Sequence, residues 1–274
     1  MLTTDKNHPK QLVADFWNEA SCGENLYFKG ENLQEKFNNQ LKTRYALEPY
    51  IIPFAGFAES KGKKVLEVGV GLGADHQMFA ENGAILHGCD LTERAIGLTR
   101  QRLEIFGLRS ELQVADAENL PYADDTFDKV YSWGVIHHSP DTPKAASEIH
   151  RVLKEKGKAK IMIYHKKSMV GYMLWLRYGL MRFRPFTSLE TIYSRYLESP
   201  GTKAYTTKEA KKMFSMFKDV SIRTELSHGD LLSSGAGQRH QGVLLKIARK
   251  LYPRTVIRRF FPTHGLFMLI DLTK

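Results

Sequence analysis

The chain has 274 residues, of which 42% are hydrophobic and 26% charged, and it carries a net charge of +10. That length can bury a sizeable core, as one large domain or as one domain with an appendage. Two cysteines, Cys22 and Cys89, provide neither a disulfide framework nor a cluster of metal ligands, so no metal site is expected. The longest near-apolar stretch, 169–181, contains Arg177 and is too short to span a bilayer. The first residues are polar and show no apolar signal region, which makes the cytoplasm the expected location.

Positive charge is concentrated late. Residues 156–189 hold eight Lys or Arg and no Asp or Glu, and residues 231–270 hold seven and none. The rest of the chain is therefore net negative. Two readings stay open for these segments. One is an anionic partner: a phosphorylated substrate, a membrane surface or nucleic acid. The other is a solvated basic face.

In chain order, residues 1–62 read as an N-terminal helical cap or lid. Helices are expected over 12–18 and 33–57, with Leu41, Tyr45, Leu47 and Ile51 at core-facing spacing. Between them, 21–30 reads as a loop holding Tyr27 and Phe28. From residue 63 strands and helices alternate. Strands are expected at 65–68, 84–89, 111–115, 127–133 and 158–164. Helices fall at 74–81, 92–106 and 142–153, the second capped by Thr92 and the third ended by Gly157. After 164 the alternation stops. Residues 165–205 form a helical substrate-cap insertion. A helix at 207–217, a strand at 219–226, a basic insertion at 227–264 and a last strand at 265–272 complete the core. The chain thus divides at 1–62, 63–164, 165–205 and 206–274. Such alternation means βαβ units and a parallel sheet. The expected class is α/β: a Rossmann-like, doubly wound, mostly parallel seven-stranded sheet with an antiparallel last strand, N-terminal helices and a helical cap from the insertions.

The chemistry centres on residues 63–76. Val65, Leu66 and Val68 form a short apolar run, followed at once by Gly69, Gly71 and Gly73 and then by a helix. Glycines at such a turn let backbone N–H groups approach a ligand closely. The spacing is G-x-G-x-G with Glu67 two residues before it, not the G-x-G-x-x-G of dinucleotide folds. Asp90 ends the second strand and Asp116 the third. In an open parallel sheet, ligands sit outside the carboxyl ends of the strands. An acid at the end of the second strand is placed to accept from both ribose hydroxyls, and one after the third to accept from an adenine amino group.

The acid–glycine turn, the run Leu120-Pro121-Tyr122-Ala123-Asp124-Asp125-Thr126-Phe127-Asp128, the segment Val135-Ile136-His137-His138-Ser139-Pro140-Asp141 and the segment Arg151-Val152-Leu153-Lys154-Glu155-Lys156-Gly157 resemble one family. They resemble the class I S-adenosylmethionine (SAM) dependent methyltransferases, of the methyltransferase type 11 group related to the ubiquinone/menaquinone C-methyltransferases. The resemblance is dense over 63–165. It implies SAM as cofactor, with S-adenosylhomocysteine as product. It implies that Glu67, Gly69, Gly71 and Gly73 hold the methionine part, Asp90 and Leu91 the ribose, and Asp116 and Ala117 the adenine. Ser132 and Trp133 would line the floor. Where base or glutamine N-methyltransferases often carry Asn-Pro-Pro-Tyr, this chain has Trp133-Gly134-Val135-Ile136, which argues against that branch.

Methyl transfer mainly needs positioning and exclusion of water, with a general base where the acceptor must lose a proton. His137 and His138, after the fourth strand, are the candidates for that base. Tyr27, Tyr45, Tyr164, His165, Tyr205 and His228 are the candidates for the acceptor pocket. The stretch 168–184 is apolar nearly all round and ends in basic residues, as a buried or lipid-facing segment would be. Leu244, Leu245, Ile247, Ala248 and Leu251 form a second apolar face. The expected function is methyl transfer to a small-molecule acceptor, hydrophobic or anionic: a lipid, an isoprenoid, a quinone precursor or a secondary metabolite. Peripheral contact with the inner membrane face goes with that reading, in a monomer or homodimer. An RNA methyltransferase and a SAM-binding protein without transferase activity are the alternatives.

Overall fold

The computed structural model describes residues 8–21, 23–233 and 249–274. Cys22 and the apolar positions at 244, 245, 247 and 248 lie outside the described residues. Seven strands form one sheet: β1 Lys64–Val68, β2 Ile85–Asp90, β3 Glu111–Val114, β4 Phe127–Trp133, β5 Leu153–Tyr164, β6 Asp219–Glu225 and β7 Phe267–Thr273. Their order is β3-β2-β1-β4-β5-β7-β6. The first five pair in parallel, and β7 runs antiparallel between β5 and β6. This is the mixed Rossmann-like sheet that the alternation of apolar runs and helices predicts.

The side-chain period of two sorts the core onto both faces of the sheet. Leu66, Val68, Ile161, Ile163, Met268 and Ile270 belong to one cluster, closed by Ile149, Val152 and Phe214. Val65, Met162, Tyr164, Phe267 and Leu269 belong to the other, closed by Ile51, Phe54, Phe57 and Phe79. Burying each large aliphatic side chain contributes roughly 1.5–3 kcal/mol.

The helices are α1 His8–Glu19, α2 Glu24–Tyr27, α3 Leu33–Leu47, α4 Ile51–Ala55, α5 Ala74–Glu81, α6 Glu93–Ile105, α7 Thr142–Val152, α8 Met169–Tyr178, α9 Leu189–Tyr196 and α10 Thr207–Met213. A further helix lies at Arg254–Phe260. Caps are explicit: Thr92 accepts from the Ala95 N–H, Asp141 from Lys144, and Thr206 and Glu209 form a capping box.

Three elements differ from expectation. The helix expected over 33–57 is two helices, because Pro49 disfavours helical backbone at Glu48, which sits at φ −127°. Residues 21–30 contain the single turn α2 rather than a plain loop. The fifth strand starts at Leu153, not 158. Leu153 turns extended at the end of α7, and Lys156 takes a left-handed φ of 62°, so Gly157 lies inside the strand.

The two insertions are tied to the sheet by one buried acid. Asp230 accepts from the N–H of Val170, of Leu266 and of Ser227, and from the Ser227 hydroxyl. No described helix is long and apolar enough to cross a membrane.

Candidate functional site

The glycine turn joins β1 to α5 at the carboxyl end of the sheet. Gly69 has φ 86°, and a Cβ there would fall 2.1 Å from a methyl of Val135. Only glycine fits. Its N–H donates to the carbonyl of Cys89 at 2.7 Å, and Gly71 N–H donates to Asp90 Oδ2 at 3.1 Å. Asp90 Oδ1 accepts from the N–H and the hydroxyl of Thr92, both at 3.0 Å. Behind the turn, Arg102 is fully buried. It donates to the carbonyls of Leu72 and Phe37 and to the amide oxygens of Gln77 and Gln40. One guanidinium thereby ties α3, α5 and α6 to the turn.

Glu67 is buried and shares a 2.8 Å hydrogen bond with His76 Nδ1. Burial, with Asp75 nearby, lifts the Glu67 carboxyl well above its ordinary range. Burial drives His76 down to about 3. The hydrogen bonds fit a neutral pair. Ser110 Oγ donates to the Leu86 carbonyl at 2.9 Å. His76 Nε2 then donates to Ser110 Oγ at 2.8 Å, and its bare Nδ1 accepts the Glu67 proton.

A cavity of about 220 Å³ opens over the turn. Glu67, Gly69, Gly71, Gly73, Asp90, Leu91, Asp116, Ala117 and Trp133 all line it. A Cβ on Gly71 would project into open space, so glycine there leaves a cradle for a ligand. The lining fits SAM: open space over Gly71, an acid at the end of β2 and a second acid after β3. Ser132 does not join them. It is fully buried, its hydroxyl without a hydrogen-bond partner among the described residues, because strand alternation turns it away from the side that Tyr131 and Trp133 face.

Helix α1 covers the outer end. Lys10 contacts Asp116 Oδ2 at 2.5 Å and Glu118 Oε2 at 2.6 Å. Those carboxylates raise the ammonium against the cost of its partial burial. Trp17, from the same helix, sits edge-on to His138 at 5.2 Å.

A second cavity, about 180 Å³, adjoins the first. Trp17, Arg44, Glu48, Tyr164, Glu198 and Phe267 line both. Arg44 donates to both Asp75 oxygens, at 3.0 and 2.6 Å. Tyr45 and Tyr131 add their hydroxyls to Asp75 at 2.9 and 2.8 Å. Burial alone would lift the Asp75 carboxyl, but Arg44 and the two tyrosines hold it below its ordinary value.

Of the expected acceptor residues, Tyr27 and His228 line the second cavity and Tyr164 lines both. The others stand elsewhere. Tyr45 is spent on Asp75. His165 alternates with Tyr164 along the chain and turns to the Gly265 carbonyl at 3.2 Å. Tyr205 packs on the opposite core cluster. The two histidines also part company. His138 lines the first cavity. Its Nδ1 lies 2.8 Å from Ser199 Oγ and 3.1 Å from Thr202 Oγ1, and its Nε2 is 3.5 Å from Glu198. His137 is fully buried against the Tyr164 ring, lines neither cavity, and is held well below its ordinary value by burial, beside His138 and Lys203. It cannot collect a proton from a ligand in either cavity. The residues that sequence reasoning passed over are Lys10, Trp17, Arg44, Glu48, Asp75 and Glu198. Asp75, in the first turn after the glycines, had a local signal. The rest are brought in by long-range packing.

Residues 66–161 match a family model described as a methyltransferase domain. Methyltransferase GfsG of Streptomyces halstedii is 30% identical over 149 residues, 53% of this chain and 48% of the relative. Phosphoethanolamine N-methyltransferase 2 of Caenorhabditis elegans is 36% identical over 107 residues, 38% of this chain and 24% of the relative. The chain thus spans less than half the length of either. A solved S-adenosylmethionine-dependent methyltransferase from Mesorhizobium loti shares the fold at a TM-score of 0.53 and 16% identity, over 81% of this chain and 96% of its own. The family match runs from the first strand through the fifth, about a third of the chain, so residues 66–161 carry a methyltransferase domain similar to the class I S-adenosylmethionine-dependent enzymes.

Proposed function

We propose that this protein moves a methyl group from SAM to a small-molecule acceptor held in the second cavity. One observation carries the reading: two cavities meet at Glu48, Tyr164, Glu198 and Phe267, beside the end of the glycine turn. The cofactor, when bound, supplies a methyl group on a sulfonium, which needs no further activation. The chain's own residues then bind, orient and exclude water. Asp90 would accept from the ribose, the Asp116–Ala117 segment would hold the adenine, and the glycine turn would hold the methionine end. Trp17 lines both cavities and Trp133 the first. His138, fixed by Ser199 and Thr202, presents Nε2 toward Glu198. Titration calorimetry with S-adenosylhomocysteine tests the cofactor half, and the absence of binding would sink the reading.

The acceptor is an apolar small molecule reached at a membrane surface. Support comes from the first insertion. Phe183 and Phe186 are 95% and 98% exposed, with Leu176, Leu180 and Met181 also exposed nearby. Arg177, Arg182 and Arg184 lie among them, and no acid falls between 166 and 189. Exposed aromatics among arginines match an anionic lipid surface. Co-sedimentation with phosphatidylglycerol vesicles should pellet the protein at low salt, and Phe183→Ser/Phe186→Ser should leave most of it in solution. Equal pelleting of the two proteins would refute the contact.

A further inference from the structure

The second cavity has an apolar body and a polar inner end. Phe16, Leu26, Leu47, Val170 and Leu197 line the body. At the inner end Glu48 is 7% exposed and weakly partnered. Its Oε2 lies 3.5 Å from Arg44 Nη1, and its Oε1 lies 3.8 Å from His228 Nδ1. Arg44 spends its closer contacts on Asp75. Glu198 supplies another carboxylate, accepting from the Tyr164 hydroxyl at 2.7 Å. Two buried imidazole nitrogens at this end lack a hydrogen-bond partner among the described residues: Nε2 of His138, a residue 5% exposed, and Nδ1 of His228.

The charges around Glu48 can be counted by element. Arg44 on α3 is the one Lys or Arg among the described residues that line this cavity, and His138 Nε2 stands 3.5 Å from Glu198. Asp75 on α5 and Glu198 after α9 are anions, and the Tyr50 hydroxyl is held neutral, its titration raised by burial. Burial holds His228 below its ordinary value, so it stays neutral too. The inner end is therefore net negative. An anionic reacting group would be repelled here, and a neutral hydroxyl would gain nothing from the charge. A cation gains from the two carboxylates.

Resting on the methyl-transfer reading, we propose that the second cavity takes a primary amine carried on an apolar body, its ammonium held between Glu48 and Glu198, and that Glu48 accepts the proton the nitrogen must lose. An N–H bond breaks and its proton goes to Glu48 Oε1. The nitrogen lone pair then forms the new C–N bond as the C–S bond breaks, and the C–S pair stays on sulfur. Ammonium, sulfonium and carboxylate become methylammonium, thioether and carboxylic acid, so the charge balances. Glu48 is suited to receiving that proton, because burial lifts its carboxyl to about 7, with Arg44 pulling down and Asp75 and Glu198 pushing up.

The test is calorimetry on the full chain with bound S-adenosylhomocysteine, using octylamine, octanol and octanoate as probes. At pH 8 octylamine should bind at least tenfold more tightly than octanol, and octanoate most weakly. Octylamine stays charged throughout, so its affinity should fall about tenfold from pH 8 to pH 6 as Glu48 takes up a proton. In Glu48→Gln that pH dependence should vanish and the preference over octanol should drop below about threefold. Binding of octanol or octanoate as tight as that of octylamine, or binding of none of them, overturns the proposal. If Glu48→Gln does not fold, the three probes on the parent protein still decide. Binding of S-adenosylhomocysteine without an amine preference defeats this proposal alone, and no binding of S-adenosylhomocysteine defeats the methyl-transfer reading with it.

Discussion

Asp90→Ala separates the cofactor site from the fold that holds it. Asp90 already accepts three hydrogen bonds, from Gly71 N–H and from the N–H and hydroxyl of Thr92. A carboxylate has about four acceptor sites, so roughly one remains for a ribose hydroxyl. The substitution therefore acts twice. It strands two backbone N–H groups in a half-buried place, a loss of about 1–3 kcal/mol. For 274 residues that lowers Tm by about 2–5 °C. It also removes one charge-assisted bond to the ligand, about 1.5–3 kcal/mol, which weakens binding about 10- to 150-fold. Calorimetry with S-adenosylhomocysteine and a thermal melt of the same two proteins read both numbers. An affinity within threefold of the parent's would show that the ribose lies elsewhere.

Three further outcomes are expected. Gly69→Ala puts a methyl 2.1 Å from Val135, so it should cost at least about 2 kcal/mol in urea unfolding, and adding Val135→Ala should recover part of that. Arg102→Met leaves two carbonyls and two amide oxygens without their buried donor; a loss of about 3–5 kcal/mol and a melt lowered by about 5–9 °C are expected, and a change under 2 °C would contradict it. The Glu67–His76 pair holds one proton when folded. Unfolded, it also holds one between the ordinary values of 4.5 and 6.5, so it contributes no pH dependence in that window. Below 4.5 the unfolded chain binds one more proton, so stability should fall there by about 1.4 kcal/mol per unit; above 6.5 it binds one fewer, so stability should fall again until Glu67 ionises. Urea unfolding from pH 3.5 to 8 reads this, and His76→Gln should lose the acid limb.

The lining of the first cavity was legible because its signals are local. Strand, glycine turn and helix are contiguous, and Asp90 and Asp116 fall where β2 and β3 end. Alternation within a strand set the limits of that reading. It told Trp133 from Ser132 only once the face was known, and likewise Tyr164 from His165. The acceptor half carries no contiguous pattern. Glu48 ends α3 because Pro49 follows it, Glu198 hangs after α9, and His228 follows β6. They meet only because Asp230 ties both insertions to the start of β7. No period or spacing in the sequence encodes such a meeting. The sign of the charge shows the same limit: the late segments are basic, yet the pocket they roof is acidic.

Lys10 has a kinetic consequence. The ammonium that closes α1 over the cavity rests on Asp116, the residue proposed to hold the adenine. A ligand that enters or leaves there passes a twelve-residue arm latched by charge. On the proposed reading, unlatching of the arm is a step that each turnover includes. Added salt weakens the latch, so product escape should quicken with ionic strength, the reverse of what electrostatic steering of a substrate gives.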